Sequence, residues 1–288
     1  MHKQKTVWSD FFLDSPATNL KTQAYTSGKS YSSTNVYVSN CLFISCTSGG
    51  SGGALYTSST NLLVESSLIF SCTSSSPWGG AIRVDGGQCV LYEVCGYNCY
   101  STYSGGWSYG QFAYIDVTNA ASNKNYVNYS SISRCVNQRS DTQDTVRLFR
   151  GIVCCPSVNL SMNKCGCFSG ILTYPYTDSN SVTCSLSYSS FVDNNCSEYI
   201  CIYFYRGGAK YEMKSCNVLR NTQSSSSEGI ICTSGTLNIN YSCILDNTAT
   251  NIIYTYGIVE IKDSCFLANT ATNILYSNSK SCPFTLLN

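Results

Sequence analysis

The stretch "SCILDNTATNIIYT", residues 242–255, returns 22 residues later as "SCFLANTATNILYS", residues 264–277, with ten of fourteen positions identical. Close self-similarity at a regular step is typical of repeat proteins, in which one unit cannot bury its apolar face alone but stacked units share a core. The pair contains Ile244-x-x-Asn247 and Phe266-x-x-Asn269. The apolar residue of this motif is the anchor of the repeat, at offset 0.

The motif of an apolar anchor followed three residues later by Asn or Cys runs through most of the chain. Nine copies begin at residues 43, 69, 96, 132, 167, 191, 218, 244 and 266, the fifth being the weak copy Cys167-x-x-Gly170. Offsets −7 and −5 are mostly apolar and alternate as in a strand, whereas offset −2 is mostly small, which places a bend between −5 and −2. A third apolar run follows each anchor. Each repeat therefore predicts three short strands.

These units predict an all-β fold, a right-handed parallel β-helix (a solenoid) of about nine coils with three short strands per coil. We assign residues 35–288 to the solenoid, with longer loops around residues 100–150. Residues 1–34 are expected to be an N-terminal cap or a disordered segment. Because repeat arrays need polar caps, the final "SCPFTLLN" predicts a rod that is truncated within a coil.

The residues at offset +3 are expected to form a structural ladder, a row of side chains stacked from coil to coil, because equivalent residues lie above one another in such a fold. An Asn there tolerates left-handed backbone and can bond to the amide of the next coil, whereas a Cys acts as a small buried hydrophobe. Stacked cysteines also lie within reach of disulfides in an oxidising compartment, but nothing requires such bridges. The predicted ladder residues are Asn194, Asn221, Asn247, Asn269, Cys46, Cys72, Cys99 and Cys135.

A leucine-rich-repeat interaction protein is the rival fold, since offsets −5, −2, 0 and +3 also spell L-x-x-L-x-L-x-x-N/C. Two features count against it. The second position of that signature is small here, and return segments such as "TQSSSSEGIICTSGTLN" (222–238) are rich in Ser, Gly and β-branched residues, which disfavours helices.

Composition excludes several functions. Charged residues make up 11% of the chain and the net charge is +1, so no basic surface for nucleic acid is expected. No apolar run approaches the roughly 20 residues of a membrane-spanning helix. The N-terminus does not show the pattern of a signal peptide, and localisation stays open on these grounds.

Catalytic signals are weak. His2 is the only histidine, which excludes Ser-His-Asp and Cys-His catalysis, and no cofactor is expected. β-Helical polysaccharide lyases and hydrolases need acids at one offset in nearby coils. The nearest case is Glu212 and Glu260 at offset −6, two coils apart and on the order of 9–10 Å from each other. Lysines two residues further on favour ordinary surface charge pairing, so we expect no enzyme, with a polysaccharide lyase or hydrolase as the alternative.

Binding residues are expected where the repeat is interrupted, because function on a rigid scaffold usually resides in its loops. The inserted segments include "YSTYSGGWSYG" (100–110) and "NQRSDTQD" (137–144). The aromatic side chains of these segments, and the arginines within and near them, could hold a sugar or a protein partner. The candidates are Tyr103, Trp107, Tyr109, Arg134, Arg139, Arg147 and Arg150.

Two short motifs carry a family resemblance. Phe191-x-x-Asn194 and Phe266-x-x-Asn269 match F-x-x-N, and residues 52–55 and 79–82 match G-G-A-[IL]. This pairing resembles the polymorphic outer-membrane-protein repeats of chlamydial surface autotransporters and of expanded surface-protein families in protists. The Ser/Asn/Cys-rich, Lys-poor composition looks more like the protist branch. The resemblance implies a non-catalytic adhesion protein at the cell surface or outside the cell, with a glycan or a host cell-surface protein as partner.

Overall fold

The computed structural model describes residues 8–58, 60–135, 141–167, 170–178, 180–196, 201–224 and 228–278, together with the backbone of Leu286–Leu287. Over these residues nearly all regular structure is parallel β-strand, and the one helix is the 3-10 turn Trp8–Asp10. The strands form three long sheets, called sheets 1, 2 and 3 in the order in which each coil visits them, and two short sheets. The all-β parallel β-helix is therefore confirmed, while its right-handed sense remains a prediction.

Sheet 1 holds offsets −7 and −5 and has eleven strands: Thr18–Lys21, Val36–Ser39, Asn61–Glu65, Gln88–Tyr92, Lys124–Asn128, Ile152–Pro156, Val182–Ser187, Lys210–Lys214, Thr236–Asn240, Ile258–Lys262 and Leu286–Leu287. Sheet 2 holds the anchors and has ten: Ala24–Tyr25, Leu42–Ile44, Leu68–Phe70, Cys95–Tyr97, Ser131–Ser133, Asn159–Ser161, Ser190–Val192, Asn217–Leu219, Cys243–Leu245 and Cys265–Leu267.

Sheet 3 holds the third apolar run and also has ten strands: Lys29–Ser32, Leu55–Ser58, Ile82–Asp85, Ala113–Asp116, Val146–Phe149, Ile171–Tyr174, Ile202–Phe204, Gly229–Thr233, Asn251–Thr255 and Asn273–Ser277. The two short sheets lie between sheets 2 and 3 in the chain. They consist of Thr47–Ser48, Thr73–Ser74 and Tyr100–Ser101, and of Lys164–Cys165, Asn195–Cys196 and Thr222–Gln223.

The core is one continuous apolar column inside the three sheets. In-register pairing stacks the anchors of sheet 2 directly on one another, and all but the last are buried. Stacking explains why the repeat is so close in sequence, since the neighbour of each core residue is its own equivalent. The stacked anchors are Phe43, Ile69, Gly96, Ile132, Leu160, Phe191, Val218, Ile244 and Phe266.

The fifth anchor predicted from the sequence, Cys167, is wrong. Leu160 pairs with Ile132 on one side and with Phe191 on the other. Leu160-x-x-Asn163 also fits the repeat motif, so the signal was present in the sequence. The weaker match at Cys167, seven residues later, was assigned as the anchor instead, because the coil between residues 160 and 191 carries extra residues after its anchor.

The N-terminal segment contributes more than a cap. Residues 18–32 supply a strand to each sheet, although they lack the anchor motif, and Tyr25 takes the position below Phe43. Before this layer, Trp8 and Phe12 pack against the outer face of sheet 1 in a second apolar cluster with Tyr37, Leu63 and Val90. The segment thus covers the side of the rod.

Each coil turns at residues with left-handed backbone. Residues at offset −3 and at offset +2 have φ between 45° and 56° without being glycine. The predicted bend is present, but the expectation that Asn at +3 is itself left-handed is wrong, since the left-handed residue precedes it. The residues are Asn40, Ser66, Glu93, Tyr129, Ser157, Tyr188, Ser215, Tyr241 and Asp263 at −3, and Ser45, Ser71, Asn98, Arg134, Met162, Asp193, Arg220, Asp246 and Ala268 at +2.

Candidate ligand-binding groove

Asparagines at offset +3 form a hydrogen-bonded ladder through the C-terminal half of the rod. Asn221 shows the pattern: its Nδ2 donates to Asn247 Oδ1 at 3.0 Å and to the carbonyl of Phe191 at 2.8 Å, and its backbone N–H donates to Asn247 Oδ1 at 2.9 Å. The same bonds link Asn194 to Asn221 and Asn247 to Asn269. Asn221 therefore hydrogen-bonds to the coil on either side of its own, at the turn that follows sheet 2, called here the corner.

The ladder has one member that the sequence count missed. Asn163 donates from Nδ2 to Asn194 Oδ1 at 3.1 Å and to the carbonyl of Ile132 at 3.1 Å. Its own Oδ1 accepts the backbone N–H of Cys135 at 2.9 Å. Asn163 thus joins the asparagine part of the corner to the cysteine part.

Cysteines take the same corner in the N-terminal half. Cys46, Cys72 and Cys99 are buried, and their thiols donate to a carbonyl of the layer below at 3.3, 3.7 and 3.6 Å. Burial raises the pKa of Cys46 and of Cys135 to about 12. None of the four cysteines at this corner, Cys46, Cys72, Cys99 and Cys135, is in a disulfide. The residues at offset +3 therefore stabilise the stacking of the coils.

The outer face of sheet 3 carries a different pattern. In-register pairing builds one outward column on this face, which alternates with core residues such as Ile82 and Val84. Most of its members are aromatic or basic: Tyr56, Arg83, Tyr114, Arg147, Leu172, Tyr203, Cys232, Tyr254 and Tyr276. The rings of Tyr254 and Tyr276 stack with centroids 5.2 Å apart.

This face contains a groove of about 360 Å³, called here the aromatic groove, lined by Tyr109, Gln143, Arg147, Phe149, Leu172, Tyr203, Tyr205 and Glu228. The ring centroid of Tyr205 lies 5.0 Å from that of Tyr203 and 5.6 Å from that of Tyr174. Tyr205 is 47% exposed, so one face of this aromatic cluster is open to a ligand. The volume falls within the range of small-molecule sites.

Arg147 lines the groove without presenting a free positive charge. Its Nε donates to Asp144 at 2.7 Å, its Nη2 donates to Gln143 at 2.5 Å, and its guanidinium lies 4.2 Å from the ring centroid of Tyr109. Asp144 is fully buried and accepts the backbone N–H of Gly110 at 2.8 Å. Burial raises the pKa of Asp144, although Arg147 opposes the shift. Asp144 therefore ties the inserted loop to sheet 3.

Glu228 supplies a carboxylate to the groove wall. The Tyr256 hydroxyl donates to Glu228 at 3.2 Å. Partial burial raises the pKa of Glu228, and this hydrogen bond opposes the shift. Aromatic faces beside amide and carboxylate groups can stack on the apolar face of a sugar ring and hydrogen-bond to its hydroxyls.

Of the predicted loop residues that the structure describes, two line the groove, Tyr109 and Arg147. Trp107 is exposed and Tyr103 is half-buried, but neither belongs to the lining. Arg134 lies over Tyr97 of sheet 2, 6.0 Å from the ring centroid, and Arg150 lies 3.4 Å from Asp116. Arg139 falls outside the described residues.

Sequence reasoning missed Phe149, Tyr203, Tyr205 and Glu228 as groove residues. A signal existed for the tyrosines, because Tyr203 and Tyr205 alternate along the third strand as Arg147 and Phe149 do. This alternation could have predicted a continuous strip of outward side chains along sheet 3. Which members of that strip meet the inserted loop depends on the register of five coils.

The weak catalytic candidates lie on another face. Glu212, Asn238 and Glu260 form one outward column on sheet 1, with Lys214, Asn240 and Lys262 in register beside them. Asp85 and Asp116 are a stacked pair of carboxylates on sheet 3. Each is engaged by an arginine, Arg83 or Arg150, and burial raises the pKa of Asp116. These groups form charge networks on the rod surface.

Among the described residues, no group of three or more His, Cys, Asp or Glu side chains is arranged to hold a metal ion. No described helix has the length and apolarity to cross a bilayer. Comparison with known protein families, curated proteins and solved structures found no match to this chain.

Proposed function

We propose that the protein is a non-catalytic β-helical scaffold of the surface or adhesion type, and that it binds a glycan in the aromatic groove. The observation that carries this proposal is that Tyr109, Tyr203 and Tyr205 line one groove together with polar side chains. On this face the rings of Phe149, Tyr174 and Tyr205 come from successive coils and follow one another at 5.4 and 5.6 Å, a spacing close to the length of one sugar residue.

The electrostatics of the groove favour a neutral glycan over a polyanion. The charge of Arg147 is balanced by Asp144 directly beneath it, and Glu228 adds a carboxylate to the wall. A nucleic-acid site would instead need uncompensated lysines or arginines along a backbone path. Gln143 and Glu228 are the groups expected to hydrogen-bond to sugar hydroxyls.

A binding role is further supported by the number of carboxylates that face the groove. Hydrolysis of a glycosidic bond usually needs two carboxyl groups on opposite sides of the scissile bond. Within the described lining, Glu228 is the one carboxylate, and Asp144 is buried behind Arg147.

Binding to immobilised oligosaccharides, neutral and acidic, tests the proposal. We expect Tyr205→Ala to weaken binding at least tenfold, about 1.4 kcal/mol, because it removes the open stacking face. The matched control is Tyr188→Ala, which removes a 64% exposed tyrosine from the bend between sheets 1 and 2. Equal loss in both variants, or no binding to any glycan by the native protein, would contradict the proposal.

The same experiment separates binding from catalysis. Release of shortened products from acidic polysaccharides, abolished by Glu212→Gln or Glu260→Gln, would support the polysaccharide lyase or hydrolase alternative. Under our proposal the oligosaccharides are recovered intact from the bound fraction.

A further inference from the structure

Two partly exposed cysteines, Cys243 and Cys265, lie side by side on the outer face of sheet 2, away from the aromatic groove. We propose that they form a two-thiolate site for one soft monovalent metal ion, Cu(I). The two residues are direct partners in neighbouring parallel strands, Cys243–Leu245 and Cys265–Leu267. They alternate with the stacked anchors Ile244 and Phe266, so both thiols point out of the rod.

The pair is distinct among the described cysteines. Fourteen of the 18 are buried, and the four that are not buried are Cys95, Cys154, Cys243 and Cys265. Cys95 is paired with Leu68 and Ser131, and Cys154 with Tyr126 and Ser185. Only Cys243 and Cys265, within this described set, place two accessible thiols in adjacent layers.

The spacing of the strands decides which bridge fits. Both cysteines sit in the same local sequence, S-C-x-L, on equivalent strands. Equivalent backbone favours equivalent rotamers, so the sulfur separation should follow the strand repeat of ~4.8 Å. Two metal–sulfur bonds span ~4.6 Å in a straight line if each has the ~2.3 Å length of a zinc–sulfur bond, and slightly less for two-coordinate Cu(I). That span is close to the strand repeat, so small rotations of the side chains suffice and neither strand has to move.

A disulfide fits the same spacing less well. Its S–S bond of ~2.05 Å needs Cβ atoms ~3.8 Å apart, whereas in-register strands hold them nearer to the strand repeat. Closing the pair would pull two coils together or twist one side chain out of its equivalent position. A single bridging atom avoids both costs.

The surroundings favour a two-coordinate soft ion. The residues in register around the pair are Asn217 below and Leu245 and Leu267 beside it. A tetrahedral zinc site needs four ligands, whereas thiolates bind Cu(I) with low coordination numbers. The binding step is two thiols plus M⁺ giving a bis-thiolate complex of charge −1 and two released protons. No electron is transferred.

Another pair in the rod shows why exposure matters. Cys165 and Cys196 are also in-register partners, but both are buried. An ion cannot reach them without opening the coil. The proposal therefore predicts one site per chain, at the exposed pair.

The test uses the full chain with Cys95, Cys154 and Cys282 replaced by serine, because Cys282 lies outside the described residues. Cu(I) is titrated anaerobically against a chromophoric chelator. We expect one ion per chain, and at least a hundredfold weaker binding in Cys243→Ser or Cys265→Ser. The serine-replaced parent chain is the matched control, and far-UV circular dichroism checks that each variant is folded.

A second measurement on the same parent chain needs no further substitution. Iodoacetamide should alkylate Cys243 and Cys265 in the metal-free protein, and one equivalent of Cu(I) should protect both. Absence of stoichiometric binding, unchanged affinity in Cys243→Ser, or protection of one thiol without the other would overturn the proposal. These outcomes leave the glycan groove untouched, so the two proposals fail independently.

Discussion

The two halves of the rod close the same corner with different chemistry. At offset +3 the N-terminal coils carry Cys46, Cys72, Cys99 and Cys135, whereas the C-terminal coils carry Asn163, Asn194, Asn221, Asn247 and Asn269. The backbone is the same in both halves, with a left-handed residue immediately before the corner. The corner therefore requires a small side chain that can satisfy the layer below, and a thiol or an amide meets that requirement.

The two solutions differ in strength. An amide makes several bonds of 2.8–3.1 Å and links three layers, as Asn194 and Asn221 show. A thiol makes longer, weaker bonds, such as Cys99 Sγ to the carbonyl of Ile69 at 3.6 Å. The difference predicts that the C-terminal corner depends on each side chain more than the N-terminal corner does.

The N-terminal half, whose corner has only the weaker thiol hydrogen bonds, carries glycines just before the strands of sheet 3. Gly52 and Gly79 have φ of +65° and +66°, which glycine adopts without strain. The following Gly53 and Gly80 have no room for a Cβ, because backbone atoms of the next layer would lie within 2.6 Å of it. The G-G-A motif therefore lets layers approach closely where no amide ladder holds them.

The largest expected effect is that of Asn221→Ala. Removal of this amide leaves the Phe191 carbonyl and the Asn194 donors without partners in a buried corner, at ~1–3 kcal/mol for each group. We expect the free energy of unfolding to fall by about 3–5 kcal/mol, measured by denaturant titration. Asn217→Ala, at an exposed site of the same coil, is the control. A loss no larger than that of the control would refute the amide ladder as a source of stability.

Gly80→Ala should come next. A Cβ at this position would lie 2.1 Å from the carbonyl oxygen of Gln111 and 2.4 Å from the carbonyl carbon of Tyr100. Because backbone must move to admit the methyl group, we expect a loss of about 2–3 kcal/mol, seen as a lower denaturation midpoint. Gly49→Ala places its Cβ in open space and should change little. Similar midpoints for the two variants would show that the layers can separate freely here.

Cys99→Ala should have the smallest effect of the three. The substitution removes only weak sulfur hydrogen bonds, those that the thiol donates to carbonyls and the one that it accepts from the Cys72 N–H at 3.4 Å, and it leaves a small cavity. A loss of about 1–2 kcal/mol is therefore expected. The measurement is the same denaturant titration, with Asn221→Ala as the reference. If Cys99→Ala destabilised the protein as much as Asn221→Ala does, the proposed difference between the two halves would be wrong.

The fold was accessible from the sequence to the extent that it is periodic. The anchors, the alternation at −7 and −5 and the bend before −2 are local patterns, and each recurs because stacked layers impose the same environment. The first layer, at residues 18–32, was not predicted because it lacks the anchor motif. The anchor Leu160 was not assigned because Cys167, a weaker match, was assigned in its place. Both errors arose where a coil departs from the common pattern.

The groove was accessible only in part. Tyr109 and Arg147 were expected from the interrupted repeat, but their partners Tyr203, Tyr205 and Glu228 lie more than 50 residues further along the chain. Equally, nothing local in the sequence distinguishes buried Asp144, which orients Arg147, from an exposed loop aspartate.

The sequence by itself determined the repeat, the strand pattern and the residues that stack along the rod, because these depend on neighbours of the same kind. Only the tertiary structure decided which outward residues meet. Coil lengths change between residues 96 and 191, and these changes set where the inserted loop lies against sheet 3. A binding surface assembled from several coils depends on that accumulated register, and no single repeat contains the information to specify it.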